Sequence, residues 1–179
     1  MQELPISHFF DLAYDIDRWG PESTTEWLKL WAAREFGPEL SESVAEVAHK
    51  YSRLASLKKF ELIETRTFSV HNYNEAEKIL DDWNALAKKA QDVHDKLDKK
   101  YHDAFFQLLL HPVLSGANFL ELFIASERNA IYSGQGRNSA NVWARKVLDK
   151  FDVDAQLTKR YNKIWPHMMD QTHIGYVYW

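Results

Sequence analysis

The residues best suited to chemistry lie close together near the C-terminus. Between Trp165 and Tyr176 the chain carries two imidazoles, a carboxyl group, an amide and several aromatic rings. Imidazole and carboxylate groups can hold a metal ion or move protons, and a Trp or Tyr ring offers a flat apolar face to a sugar. His167 and His173 are six residues apart, which places them on different faces of a straight helix and matches no familiar zinc site. These residues fit either a ligand-facing site or a buried hydrogen-bonded network.

A second group of candidates lies in the loop around Gly134 and Gly136. The two glycines expose the backbone, and the helix predicted to follow has an N-terminus that attracts anions. Arg137 can pair with a carboxylate at this place. The loop is neither a phosphate-binding loop nor a dinucleotide fingerprint. The alternative is a capped turn between helices in which Arg137 is tied to a neighbouring acid.

Other chemistries lack the residues that they need. Because the chain has no cysteine, it has no thiol nucleophile, disulfide or cysteine zinc site. It shows neither a serine nucleophile elbow nor a carboxyl group isolated among apolar residues. Glu46-x-x-His49 is the one match to a di-iron helix motif, and we interpret it as a surface pair. We therefore predict no catalytic residue, no cofactor and no metal, with a metal-dependent enzyme built on His167, Asp170 and His173 as a rival.

The composition limits the kind of protein that positions these residues. The chain has 179 residues, of which 45% are hydrophobic and 27% charged, and its net charge is −4. These values predict a single domain over residues 1–179, without a basic surface for nucleic acid or an anionic membrane. The N-terminus does not resemble a signal peptide, and no apolar run reaches the roughly 18 residues of a membrane span. The chain is 14% aromatic but has only six Gly and five Pro, which favours long helices.

Apolar spacing predicts an all-α fold, a helical bundle of about five to seven helices. The stretch 58–70 is rich in β-branched and aromatic residues, and we interpret it as a connector with extended segments. Residues 104–110 are apolar nearly all round, which predicts a central helix, and Pro112 is expected to kink or break it near His111. The third predicted helix begins at Ser41 or Ser43 and runs to 55, and the fourth follows a cap at Asn72 or Asn74 and runs to 97. The other predicted helices cover residues 5–16, 24–36, 101–132, 139–151 and 154–161.

Several blocks of the sequence resemble the middle of glycoside hydrolase family 115, the xylan α-1,2-glucuronidases. The likeness covers essentially the whole chain, and its last block is the longest and most specific. The blocks are residues 4–15 (LPISHFFDLAYD), 31–37 (WAAREFG), 51–54 (YSRL), 72–77 (NYNEAE), 103–108 (DAFFQL) with 111–113 (HPV), 135–137 (QGR) and 167–176 (HMMDQTHIGY). Two stretches depart from the family: 58–61 reads KKFE in place of RKPE, and 163–166 reads KIWP.

The resemblance implies a large multi-domain enzyme that removes glucuronic acid, or its 4-O-methyl form, from xylan with inversion. In that family a barrel with the catalytic carboxylates precedes this region and a β-sandwich domain follows it. Residues 1–179 are then the helical-bundle domain, a fragment that is inactive without the barrel. The implied partners are the barrel, the β-sandwich and glucuronoxylan, with a homodimer left open and neither nucleic acid nor a membrane expected. The parent enzyme is expected to be secreted or periplasmic.

A rival hypothesis, from another functional class, is a stand-alone helical interaction module without catalysis. The resemblance itself implies two groups of residues that face the substrate. The first group of substrate-binding candidates is Trp165, His167, Gln171 and His173, and the second is Gln135, Arg137 and Asn141.

Overall fold

Six helices make up the part of the chain that the computed structural model describes, residues 3–164. One-turn 3-10 segments lie at Pro21–Ser23, Phe60–Leu62 and Lys99–Tyr101. The helices are α1 (Glu3–Tyr14), α2 (Thr24–Phe36), α3 (Ser41–Ser56), α4 (Glu75–Lys96), α5 (His102–Phe105, Phe106–Leu110 and His111–Gly134, joined end to end) and α6 (Ala140–Ile164). Residues 3–164 contain no β-strand, so the predicted all-α bundle is confirmed.

Two apolar clusters hold these helices together. One joins α2 and α3 to the start of α5 and contains Trp31, Phe36 and Phe105. The other lies where α4 meets the later part of α5 and contains Trp83 and Leu120. Because α5 contributes to both clusters, its side chains are covered on most sides, which explains why its sequence is apolar nearly all round.

The central helix α5 contains the irregularity predicted near Pro112. The His111 N–H donates to the Phe106 carbonyl, five residues back, so the stretch Phe106–Leu110 is π-helical. In a regular α-helix a proline ring collides with the carbonyl four residues earlier, and the wider π winding gives that ring more room. The helix continues to Gly134, so Pro112 does not break it.

The helices α4 and α5 approach each other closely at Gly116. A Cβ atom at this position would lie 2.6 Å from the Trp83 ring, which real side chains do not tolerate. Trp83 is 1% exposed and is held on its other sides by the rings of Tyr51 and Phe60. The absence of a side chain at Gly116 therefore lets the indole lie directly on the α5 backbone.

The helix α1 contacts the bundle through polar and apolar side chains, and its Leu4 and Leu12 pack against the first apolar cluster. The Trp27 indole N–H donates to Asp11 Oδ2 over 2.7 Å, and the His8 ring lies edge-on to Trp27 at 4.7 Å. Three other apolar residues of α1 point outward, and Ile6, Phe9 and Phe10 are exposed by 50%, 62% and 65%. We call the surface formed by these three residues the outer face of α1.

The helix α6 is one continuous helix where the sequence predicted two, 139–151 and 154–161. The sequence predicts this separation because an aspartate such as Asp154 often begins a new helix. In the structure Asp154 is buried on the side of α6 that faces α5, as are Ala140 and Tyr161. A buried acid inside a helix carries the same letter as a capping residue, so the sequence alone does not tell them apart.

The connector between α3 and α4 contains a 3-10 turn and bends in place of the extended segments that were expected. Its second half is folded back on the start of α4. The Ser69 N–H donates to the Glu75 carboxylate, and the Ala76 N–H donates to the Ser69 carbonyl. These bonds use backbone groups that a β-strand would need for pairing.

Within the described residues, one helix is long and apolar enough to cross a membrane by length and composition. It is Lys99–Gly134, whose most apolar 18-residue window has a mean hydropathy of 1.5, so the expectation of no such stretch is wrong. Some 67% of that window is buried inside the bundle. The apolar residues of this helix are thus in contact with the other helices, as in the core helix of a bundle.

Candidate functional site

The first group of predicted site residues lies outside the described part of the chain. It comprises Trp165, His167, Gln171 and His173, and the rival metal set of His167, Asp170 and His173 lies there too. Those assignments remain predictions. Among residues 3–164 no three His, Asp or Glu side chains are grouped so that they could hold a metal ion.

The second group lies at the turn between α5 and α6, whose shape follows from its glycine. The Arg137 N–H donates to the Tyr132 carbonyl and the Gly136 N–H to the Ser133 carbonyl, both over 2.9 Å. This pair of bonds is a Schellman motif, which requires a left-handed residue just past the helix end. Gly136 supplies it with a φ of 68°. The motif reverses the chain within a few residues and presents the Arg137 side chain beside the end of α5.

A pocket of about 260 Å³ opens beside this turn. Gln135 and Arg137 line it, so two of the predicted residues lie together. Asn141 is exposed on the first turn of α6 and is not among the residues that line this pocket, so its predicted contact with substrate stays a prediction. The remaining lining residues are Val70 and His71 from the connector, Glu77 from α4, Arg128 and Tyr132 from α5, and Trp143 from α6.

The charges in this pocket are only partly paired. Arg128 bonds to the Glu77 carboxylate and also lies 4.6 Å from the centre of the Trp143 ring. The Arg137 guanidinium lies 4.8 Å from the centre of the Tyr132 ring. Within residues 3–164 no acid pairs with Arg137, so the expected alternative of a turn with Arg137 tied to an acid is not what the structure shows. The second Glu77 oxygen, Oε2, is buried and has no hydrogen-bond partner among the described residues.

The described groups of this pocket are suited to binding. Arg137 can receive a carboxylate, Glu77 Oε2 can accept a hydroxyl proton, and the Tyr132 ring adds an apolar surface. An inverting glycosidase needs two carboxyl groups about 6.5–9.5 Å apart. Among the described residues that line the pocket, Glu77 alone is acidic.

The residues that sequence reasoning missed here come from distant parts of the chain. Glu77 and Arg128 are 51 positions apart, and no local pattern joins them. The helical spacing of Trp143 predicts only a packing residue of α6. For Glu77 and Arg128 the sequence offers opposite charges on two predicted helices, but this pattern does not specify which charges pair.

A second polar cluster is buried between α5 and α6, and we call it the polar seam. It comprises His111, Ser115 and Asn118 on α5 and Asp154 and Tyr161 on α6. The Ser115 hydroxyl lies 3.3 Å from His111 Nδ1, and the Asn118 amide donates to the Lys150 carbonyl over 2.9 Å. The His111 and Tyr161 rings lie 4.8 Å apart.

The contacts between the antiparallel helices α5 and α6 also show which residues of α5 lie beside Asp154. Lys150 meets Asn118, and Tyr161 meets His111, so Asp154, one turn after Lys150, lies at the level of Ser115 and Asn118. Asn118 Oδ1 and Asp154 Oδ2 are both buried without a hydrogen-bond partner among residues 3–164. Burial raises the pKa of Asp154 to about 6. Burial, and to a smaller extent the charge of Arg160, lowers the pKa of His111 to about 4.

Comparison with known protein families gives a match over the first third of the chain. No curated protein matches the chain. Residues 1–62 match the family model described as Glycosyl hydrolase family 115. This stretch contains α1, α2, α3 and the 3-10 turn Phe60–Leu62, whereas the Arg137 pocket and the polar seam lie beyond it. The match supports membership of the region that it covers, residues 1–62, in glycosyl hydrolase family 115.

Proposed function

We propose that this chain is the helical domain of a xylan α-1,2-glucuronidase, which packs on a catalytic barrel and helps to wall its pocket. The observation that carries the proposal is the family match over residues 1–62, which supports a glycoside hydrolase family member. The all-α bundle agrees with the domain that the sequence resemblance implies. The release of glucuronic or 4-O-methylglucuronic acid from glucuronoxylan is then the activity of the larger enzyme.

The outer face of α1 supports a domain that packs on a neighbour. Phe9 and Phe10 stand edge-on to each other with ring centres 5.7 Å apart, beside Ile6, all largely exposed. Contiguous exposed apolar residues of this kind mark surfaces of contact. We assign this face to the preceding barrel and leave the β-sandwich domain and a second copy of the chain as further proposed partners. Export to the periplasm or the medium belongs to the same proposal.

The Arg137 pocket supports contact with an acidic sugar. Its unpaired guanidinium fits the carboxylate of glucuronic acid, and Glu77 Oε2 can accept from a sugar hydroxyl. Since the described lining has a single carboxyl group, the domain contributes binding and leaves the acid and base to the barrel.

The test is the release of uronic acid from glucuronoxylan. The chain alone should release none, and the same chain joined to its barrel should release it. Arg137→Gln in the joined protein should raise KM about tenfold, the effect of losing one charge-assisted bond pair. The matched control is Arg145→Gln, at an exposed arginine of α6 that does not line the pocket. It should change neither KM nor kcat.

Two results would contradict the proposal. Uronic acid released by the pure chain would place the acid and base on this domain. An Arg137→Gln variant with an unchanged KM would separate the pocket from the substrate. The alternative, a stand-alone interaction module, is favoured by the outer face of α1 alone, and it predicts no affinity for acidic xylo-oligosaccharides.

A further inference from the structure

A groove on another side of the bundle carries a second set of ligand-binding features. It consists of two adjoining depressions of about 360 and 700 Å³ that share Leu57 and Asp82. The first lies between α3 and α4, and the second lies between α4 and the connector. From Lys78 to Lys89 along α4 the groove extends for about 16 Å. We call it the α4 groove. Its apolar lining is Leu54, Leu57, Phe68, Ile79, Ala85 and Leu86.

An exposed aromatic ring is held at the edge of this groove by a strained backbone. Tyr73 has a φ of 57° and the next residue, Asn74, a φ of 54°, in the left-handed region that bulky residues avoid. The Tyr73 side chain is 92% exposed and lines the groove. The Ser69 hydroxyl accepts the His71 and Asn72 N–H groups, and the Glu75 carboxylate accepts the Ser69 N–H.

Those bonds fix the loop around Tyr73, yet none of them requires a tyrosine at its tip. Strained residues held in this way cluster at active sites, at ligand-binding sites and in segments that switch conformation. A phenol ring with nothing packed over it is suited to the apolar face of a sugar, because the sugar hydroxyls stay in water.

The charges of the groove favour an anionic ligand. Glu46 bonds to Lys50 and Lys89 and so neutralises part of the cationic end of the groove. Arg53, Lys58 and Lys78 have no ion-pair partner within residues 3–164. The groove is lined by five basic side chains, Lys50, Arg53, Lys58, Lys78 and Lys89, and by two acidic ones, Glu75 and Asp82.

We propose that the α4 groove binds an acidic oligosaccharide, with a sugar ring on Tyr73 and its carboxylates near Arg53, Lys58 and Lys78. This is a separate site from the Arg137 pocket, which is lined by other residues. The class of ligand, a ring-bearing polyanion, follows from the groove itself. The choice of a glucuronic acid-substituted xylo-oligosaccharide as the probe rests on the proposed function.

The experiment measures binding of that probe to the full chain by titration calorimetry at low salt. All proteins carry Arg137→Gln, so that the pocket does not contribute. Tyr73→Ala and Arg53→Gln should each weaken binding about tenfold, and Tyr73→Phe should retain it. Tyr14→Ala, at an equally exposed tyrosine on α1, and Arg145→Gln are the controls and should bind like the parent.

Three results of these comparisons would contradict binding of the acidic oligosaccharide in the α4 groove. They are equal binding by Tyr73→Ala and its parent, equal affinity for the unsubstituted xylo-oligosaccharide, and binding of a poly-glutamate peptide in place of the sugar. A fourth result, the loss of all binding on Arg137→Gln alone, would contradict binding in the α4 groove while leaving the proposed function standing. The opposite outcome is that the chain binds the probe in the groove but releases no uronic acid when it is joined to its barrel. That outcome would contradict the proposed function and leave the groove proposal standing.

Discussion

The surroundings of Arg137 are predictable from the sequence only in part. Its backbone N–H closes the Schellman turn, and its side chain rests on the Tyr132 ring. The turn was foreseeable, because a glycine after an apolar helix predicts a left-handed cap. The pocket residues Glu77 and Arg128 were not foreseeable, because their mutual pairing depends on how α4 packs against α5.

The residue with the sharpest steric requirement is Gly116. We expect Gly116→Ala to lower the free energy of unfolding by about 1–2 kcal/mol, because the collision with Trp83 outweighs the gain in helix propensity of about 1 kcal/mol. Urea denaturation followed by circular dichroism measures it. Gly134→Ala is the control, since a Cβ there meets nothing within 4 Å, and it should be neutral or stabilising. A Gly116→Ala variant as stable as the wild type would contradict the close contact.

At the scale of elements, the predictions succeeded where one face of a helix was polar. The helix α4 alternates buried Ile79, Trp83 and Leu86 with charged residues, and its observed bounds differ little from the predicted ones. The prediction failed for α6, where a polar residue lies on the buried side. The polar seam is thus the part of the fold that a hydrophobic pattern does not report.

The polar seam makes the stability of the α5–α6 pair depend on pH. The pKa of Asp154 is raised to about 6, so the folded chain keeps a proton that the unfolded chain releases above about pH 4. Stability from this group is therefore full below pH 4 and is lost as the pH rises to 6. His111 acts in the opposite direction, because its lowered pKa makes the folded state weaker as the pH falls from about 6.5 to 4.

We expect Asp154→Asn to be more stable than the wild type by about 2 kcal/mol at pH 8 and equal to it near pH 4. The amide cannot ionise. Urea midpoints between pH 4 and pH 8 give the difference, in which the His111 contribution cancels. Asp152→Asn, at an exposed neighbour, should show no such trend. A constant difference between Asp154→Asn and the wild type across this range would exclude ionisation as the cause.

For the whole molecule, the family match covers a shorter stretch of the chain than the helical bundle does. The match ends at residue 62, but the cluster that packs α2 and α3 also contains Val93 of α4 and Phe105 and Leu109 of α5. The bundle therefore extends well beyond the matched region. Sequence patterns predicted its class and helix count, whereas the first group of predicted site residues lies outside the described part of the chain.

We expect a fragment of residues 1–62 not to fold on its own, because Trp31 and Phe36 would lose Phe105 and the rest of that cluster. Circular dichroism and the dispersion of amide proton shifts would show it, with the full chain as the reference. A dispersed spectrum and a cooperative unfolding transition for the fragment would mean that the matched region is a domain by itself.

The π-helical stretch has a consequence for how relatives of this chain should be aligned. A π-helical turn holds one more residue than the α-helical turn that it replaces, so Phe106–Leu110 corresponds to a single-residue insertion within an otherwise regular helix. Relatives with no proline at position 112 are expected to be one residue shorter here. An alignment that forbids gaps inside helices would then shift every contact of α5 before His111 by one residue.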